Sequence, residues 1–145
     1  MYIERGISHD NNSYKEYTDF IMDKTVTLLG IDSPTGYTED AAAWVKNEFE
    51  ALGFHAHITG KGGVLIELGG KDKEDGLFLE AHTDTLGAMV ASIKSSGRLL
   101  VTPLGGMNAN NAETENVRII TKFDGDYEGT FQLENASIHV NGEYD

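Results

Sequence analysis

Residues 77–87 read LFLEAHTDTLG, and this stretch separates two different patterns in the chain. Its first five residues form a short apolar run, which predicts a buried β-strand. Before this strand, the spacing of apolar residues is first typical of helices and then typical of strands, as expected of helices that cover one side of a sheet. After residue 87 the pattern is one of strands and tight turns. The sequence therefore predicts the α/β class, with an α/β part over residues 1–87 and a mostly antiparallel β part over residues 88–145.

Two helices and a hairpin are predicted upstream of this strand. A capping-box sequence at residues 13–16 predicts a first helix that runs to Gly30. Its predicted apolar face consists of Tyr17, Phe20, Ile21 and Leu28. A second helix is predicted to begin after Thr38 and to end at Gly53, where glycine suits the position after a helix. Residues 54–68 alternate between apolar and polar around a glycine-rich turn, which predicts a β-hairpin.

Short strands dominate the prediction for the second part of the chain. Serine, asparagine, aspartate and glycine separate its apolar runs and are typical of turns. No helix is predicted between Gly97 and Val140. The predicted strands are residues 89–93, 99–102, 117–121, 127–133 and 136–140.

Composition excludes several classes of function. The chain has 24 acidic and 11 basic residues, a formal net charge of −13, which disfavours binding to nucleic acid or to an anionic membrane surface. It has no cysteine, so disulfides, thiolate zinc sites and thiol nucleophiles are excluded. Residues 1–14 are polar and lack the apolar segment of a secretory signal, and no apolar run approaches the length that a membrane span needs. We therefore expect a soluble cytoplasmic protein.

His82 and Asp84 follow the predicted buried strand directly. Ligands of open α/β sheets bind beyond the carboxyl ends of the strands, so this place favours a functional role. A neutral imidazole is a good ligand for zinc or cobalt. The carboxylate of Asp84 could coordinate as well, or accept the other ring N–H and fix the tautomer. The alternative interpretation is a hydrogen-bonded structural histidine at a strand end.

The other histidines give weaker signals. His55 and His57 share one face of a predicted strand at a spacing that can chelate a metal, but the opposite face is apolar, which predicts that they point to solvent. His9 and His139 have no recognisable partner. The sequence contains no His-Glu-x-x-His, G-x-S-x-G or Walker A motif.

The order of several motifs resembles that of one protein family. Ser-Pro-Thr-Gly at residues 33–36 lies between the two predicted helices, and a glycine-rich hairpin, the His-x-Asp-x-x-Gly of residues 82–87 and Leu-Gly-Gly at residues 104–106 follow. This order resembles the tetrahedral or glutamyl (deblocking) aminopeptidases, which are co-catalytic dinuclear metallopeptidases. The resemblance extends from about Tyr14 to the last residue.

The resemblance implies a role for each residue that matches the family pattern. His82 would ligate one of two metal ions, zinc or cobalt, and Asp84 would orient that histidine without contacting the metal. Residues 88–145 would form part of an insert domain that builds homo-oligomer contacts. The resemblance places the bridging aspartate, the glutamate base, another carboxylate ligand and the final histidine beyond the last residue of this sequence.

Two hypotheses about function follow. In the first, the chain is the N-terminal part of a metal-dependent aminopeptidase that removes N-terminal residues from peptides. Alone it would be inactive and would bind metal weakly or not at all, because most ligands and the general base are missing. In the second, it is a non-catalytic oligomerisation or interaction module derived from that family. The intact His-x-Asp sequence favours the first hypothesis.

Overall fold

The computed structural model describes residues 11–72 and 74–134. The chain divides into two compact units between Thr85 and Leu86, here called the first and the second unit. The mixture of helices and small antiparallel sheets is compatible with the predicted α/β class. The elements in chain order are α1 (Asn11–Leu29), α2 (Glu39–Ala51), β1 (His55–Ile58), β2 (Val64–Glu67), β3 (Gly87–Ile93), β4 (Leu99–Leu104), α3 (Ala109–Ala112), β5 (Asn116–Ile120) and β6 (Asp126–Thr130).

The first unit is built on the packing of α2 against the β1–β2 hairpin. The hairpin is antiparallel, as predicted, with His55 opposite Glu67. Small side chains fill the contact, because Ala41 and Ala42 of α2 and Ala56 of β1 are all buried. Alanine at these places allows the backbones of helix and strand to approach closely.

The second helix has the predicted boundaries. Thr38 precedes it and accepts the first helical hydrogen bond through its carbonyl, from the amide of Ala42 at 2.9 Å. Glu39 and Asp40 lie in the first turn, where the helix dipole favours negative charge. The helix ends as predicted, because Gly53 has a φ of +89°, a conformation that glycine adopts without strain.

The first helix differs from the prediction in two ways. Residues 13–16 lie inside α1, so the capping-box sequence does not form its N-terminus. Its predicted apolar face is largely exposed, Tyr17 and Ile21 included. An ion pair joins it to α2, between Lys24 Nζ and Glu48 Oε2 at 2.7 Å, and the hydrogen bond to Glu48 raises the pKa of Lys24.

The prediction of a buried strand at residues 77–81 is wrong. These residues adopt no regular secondary structure and pair with no strand in the part of the chain described here. Leu77, Phe78 and Leu79 are 87%, 72% and 71% exposed. A strand requires a neighbour for its backbone N–H and C=O groups. Among the described residues of the first unit, the sheet consists of the β1–β2 hairpin, which does not extend to residues 77–81.

The second unit contains two antiparallel hairpins, β3–β4 and β5–β6. Their turns contain Gly97 and Gly125, both with positive φ, as the predicted turns require. Lys94, after β3, contacts Glu134, after β6, with Nζ and Oε1 2.6 Å apart. This hydrogen bond lowers the pKa of the Glu134 carboxyl.

One expectation for the second unit is contradicted, since the stretch predicted to lack helix contains the single turn α3. Asn108 explains this turn, because its side chain accepts a hydrogen bond from the amide of Asn110 at 2.9 Å and caps the helix. The predicted strand at residues 136–140 lies outside the described residues. Among the helices of the described ranges, none combines the length and apolar character that crossing a bilayer would require.

We expect Ala41→Leu to destabilise the first unit by about 1–3 kcal/mol, because the larger side chain does not fit the contact between α2 and the hairpin. Ala41 is fully buried. Ala51→Leu in the same helix is the matched control, because Ala51 is exposed and leucine is almost as good a helix former as alanine. Urea unfolding followed by circular dichroism measures both. Equal unfolding free energies for the two variants would contradict the packing described here.

Candidate active site around His82 and Asp84

The segment that contains His82 and Asp84 is anchored to the loop between α1 and α2. The amide of Thr85 donates a hydrogen bond to the carbonyl of Ser33 at 2.7 Å, and Pro34 and Thr85 form an isolated parallel bridge. Ser33 is the most deeply buried polar residue among those described, only 1% exposed. The anchor therefore lies on a buried part of the loop, and the residues just before Thr85 are placed by it.

The loop itself is shaped by a tight turn over residues 34–37. The amide of Tyr37 donates to the carbonyl of Pro34 at 2.8 Å, and Gly36, at the third position, has a φ of +88°. A positive φ at this position is the requirement of a type II turn and explains the glycine. The turn brings the Thr35 hydroxyl to the segment, where it donates to Asp84 Oδ2 at 3.1 Å.

His82 and Asp84 contact each other directly. His82 Nδ1 lies 3.1 Å from Asp84 Oδ1 and 3.3 Å from the Asp84 carbonyl oxygen. Both oxygens are acceptors, so the contact favours the tautomer with its proton on Nδ1 and leaves the lone pair of Nε2 free. The His82 side chain is 85% exposed. A neutral, accessible imidazole oriented by a carboxylate has the donor chemistry that zinc and cobalt sites use.

The structure brings the two predicted site residues together, but not at the end of a paired strand. The structure also brings Thr35, from the Ser-Pro-Thr-Gly motif of residues 33–36, into contact with Asp84. The contact joins residues 49 positions apart, and a single sequence gives no direct signal of such a pairing. The only local indication that Thr35 has a defined position is the Pro-Thr-Gly turn, which fixes the backbone around it.

No third ligand joins this pair from the part of the chain that the structure describes. Over residues 11–72 and 74–134, the one group of three histidine, cysteine or acidic side chains close enough to hold an ion is His55, His57 and Glu67. These histidines are exposed, as the sequence predicted. Within the described residues, His82 and Asp84 are thus an oriented pair that offers at most two ligand atoms to an ion.

Comparison with known proteins decides the family. The family model described as M42 glutamyl aminopeptidase matches residues 62–145, more than half of the chain. The chain belongs to this family. The matched range of the M42 model contains both His82 and Asp84, and the resemblance drawn from the motif order is confirmed.

Two relatives support the M42 assignment. The YhfE protein of Bacillus subtilis (strain 168), which is named as an aminopeptidase, is 35% identical over 119 residues, covering 82% of this chain and 34% of that protein. The glutamyl aminopeptidase of Lactococcus lactis subsp. cremoris (strain MG1363) is 32% identical over 89 residues, covering 61% of this chain and 25% of that protein. The M42 chain described here thus matches about a third or less of the length of these relatives.

We expect Asp84→Ala to change the tautomer of His82, because the carboxylate that holds the proton on Nδ1 is removed. Two-dimensional ¹H–¹⁵N spectra of the imidazole at alkaline pH measure this, and the Nε2–H form should increase. Thr35→Val is the matched control, since it removes only the hydroxyl bond to Oδ2 and leaves the contact with His82. An unchanged tautomer ratio in Asp84→Ala would show that the 3.1 Å contact does not orient the ring.

Proposed function

We propose that this chain is the N-terminal part of a cytoplasmic, metal-dependent aminopeptidase that removes N-terminal residues from peptides. The observation that carries the proposal is the contact of His82 Nδ1 with the Asp84 carboxylate, found within the range that matches the M42 model. The aminopeptidase names of the two relatives support the reaction class.

Each residue of the pair has a distinct part in the proposal. His82 would bind one of two divalent ions, zinc or cobalt, through Nε2, and Asp84 would position the ring without touching the ion. Thr35 holds the other carboxylate oxygen of Asp84, so rotation of the carboxyl group is restricted. When bound, such ions polarise the scissile carbonyl and lower the pKa of water. The chain itself contributes a ligand of fixed tautomer and orientation.

We further propose that residues 1–145 alone are inactive and that His82 alone holds metal weakly or not at all. A hydrolytic zinc site uses about three protein ligands and a water. His82 and Asp84 supply one imidazole and one carboxylate that is already engaged by two partners. No residue described in contact with His82 or Asp84, Thr35 included, offers a general base.

Self-association is also part of the proposal. The first unit exposes Leu77, Phe78 and Leu79 in succession, together with the apolar face of α1. Contiguous apolar surface is typical of a site where proteins associate, and we propose that another copy of the chain covers it. By the family resemblance, residues 88–145 would contribute as an insert domain with oligomer contacts.

The second candidate function is a non-catalytic oligomerisation or interaction module. Exposed apolar side chains in the second unit favour it, among them Ile93, which is 72% exposed, and Phe123, which is 89% exposed. The His82–Asp84 contact argues against it, because a module that only binds proteins has no need of an oriented imidazole. Aminopeptidase activity of a longer protein that contains this chain separates the two candidates.

We expect no hydrolysis of leucyl or glutamyl chromogenic substrates by the 145-residue chain. A protein that continues the chain to the length of its relatives should hydrolyse them. There, His82→Ala should lower kcat/KM at least about a thousandfold, and Asp84→Asn about 10–100-fold, because the ligand is kept but its orientation is weakened.

Lys61→Ala serves as the control for these variants, since Lys61 is an exposed residue in the hairpin turn and should leave kcat/KM unchanged. Turnover by the 145-residue chain that disappears in His82→Ala would contradict the proposed incompleteness. Full activity of the longer His82→Ala protein would remove His82 from the site.

We expect the chain to sediment as an oligomer at micromolar concentration. Phe78→Lys should shift the distribution toward the monomer, because a charge would then lie in the covered apolar surface. Glu80→Lys introduces the same side chain at a position that is already charged and should change the distribution less. Sedimentation velocity measures all three. A monomer for the unmodified chain would overturn the proposed association.

A further inference from the structure

Three side chains with metal-binding groups meet on the exposed face of the β1–β2 hairpin. They are His55 and His57 of β1 and Glu67 of β2, and one ligand atom from each lies within 4.8 Å of the others. None of them belongs to the His82–Asp84 pair. We propose that this group, here called the hairpin triad, binds a divalent transition-metal ion such as Zn²⁺.

The distances within the hairpin triad suit a shared ion. His55 Nδ1 and Glu67 Oε1 are 3.5 Å apart. Two ligands bound tetrahedrally to zinc at the usual bond length of about 2.0–2.2 Å are about 3.3 Å apart. The imidazole of His57 lies beside that of His55, with ring centroids 6.0 Å apart. Since one ligand atom of each residue lies within 4.8 Å of the other two, rotamer changes of these exposed side chains can close the remaining distance.

The backbone that carries the triad is fixed by pairing and packing. His55 is directly opposite Glu67 in the antiparallel register, and His57 is two residues further on the same face. Ala56, between the two histidines, is buried on the other face, where α2 packs against the hairpin. The three ligands therefore project from one side of a supported hairpin, and forming the site requires only that their rotamers become ordered.

The donor set selects the class of ion. Two imidazoles and one carboxylate match the His₂Glu combination used for zinc, and imidazole nitrogen also suits copper and nickel. Magnesium and calcium prefer oxygen donors, of which the triad offers one carboxylate. Positions left open by the three ligands would be occupied by water. Hence we expect binding of Zn²⁺ and little response to Mg²⁺ or Ca²⁺.

A simple charge pair between His55 and Glu67 explains only part of the arrangement. Such a pair accounts for the 3.5 Å contact but gives no role to His57. The side chains of His55 and Glu67 are 70% and 66% exposed, and a solvent-exposed pair contributes little to stability. An ion would engage all three side chains, and this difference makes His57 the informative position for a test.

Isothermal titration of the tag-free 145-residue chain with ZnCl₂ tests the proposal, and ¹H–¹⁵N spectra of the imidazoles locate the ion. We expect one equivalent of Zn²⁺ to bind, with the ring signals of His55 and His57 shifted. His57→Gln should raise the Kd at least tenfold, and Glu67→Gln should raise it by a smaller factor. All three positions are exposed, so circular dichroism spectra of the variants should match that of the unmodified chain.

Glu128→Gln is the matched control for Glu67→Gln, since it removes another exposed carboxylate on a strand and should leave the Kd unchanged. The proposal is overturned if the chain binds no Zn²⁺, or if His57→Gln binds it as tightly as the unmodified chain. It is also overturned if His82→Gln abolishes binding, because the ion would then belong to the His82–Asp84 pair. The result is independent of peptidase activity, so it neither requires nor tests the proposed function.

Discussion

The position of the His82–Asp84 pair depends on one backbone hydrogen bond, from the amide of Thr85 to the carbonyl of Ser33. Residues 77–81, just upstream, make no strand pairing in the described chain, so this bond and the adjacent bridge at Pro34 form the anchor. The carbonyl that accepts the bond belongs to a buried residue. Burial excludes water that would otherwise compete for the same groups, which makes the bond costly to break.

Local patterns in the sequence predicted the local structure well. The α2 boundaries, the β1–β2 hairpin and the turns at Gly97 and Gly125 all depend on properties of neighbouring residues, such as helix dipoles, side-chain alternation and the left-handed conformations of glycine. These properties act over a few positions, so a single sequence contains them. The prediction that the capping-box sequence at residues 13–16 forms the start of α1 is wrong, because the same residue types also occur inside helices.

Contacts between distant segments could not be predicted in the same way. Leucine and phenylalanine at residues 77–79 are residue types that favour burial, but burial also requires a partner, and no element of the described first unit pairs with them. The site shows the same limit. His82 and Asp84 are close in sequence and were predicted together, whereas the hydroxyl of Thr35 reaches Asp84 only after the chain has folded back.

The separation of Thr35 and Asp84 also bears on the order of folding. In the β5–β6 hairpin the partners are at most 14 residues apart, whereas the contact from Thr35 to Asp84 closes a loop of 49 residues. Loop-closure entropy grows with the logarithm of loop length, so the longer loop costs about 1 kcal/mol more. We therefore expect the hairpins to form before the contact between Thr35 and Asp84 closes the longer loop. On this expectation, Thr35 and Asp84 reach their native contact late in folding, after the local hairpins.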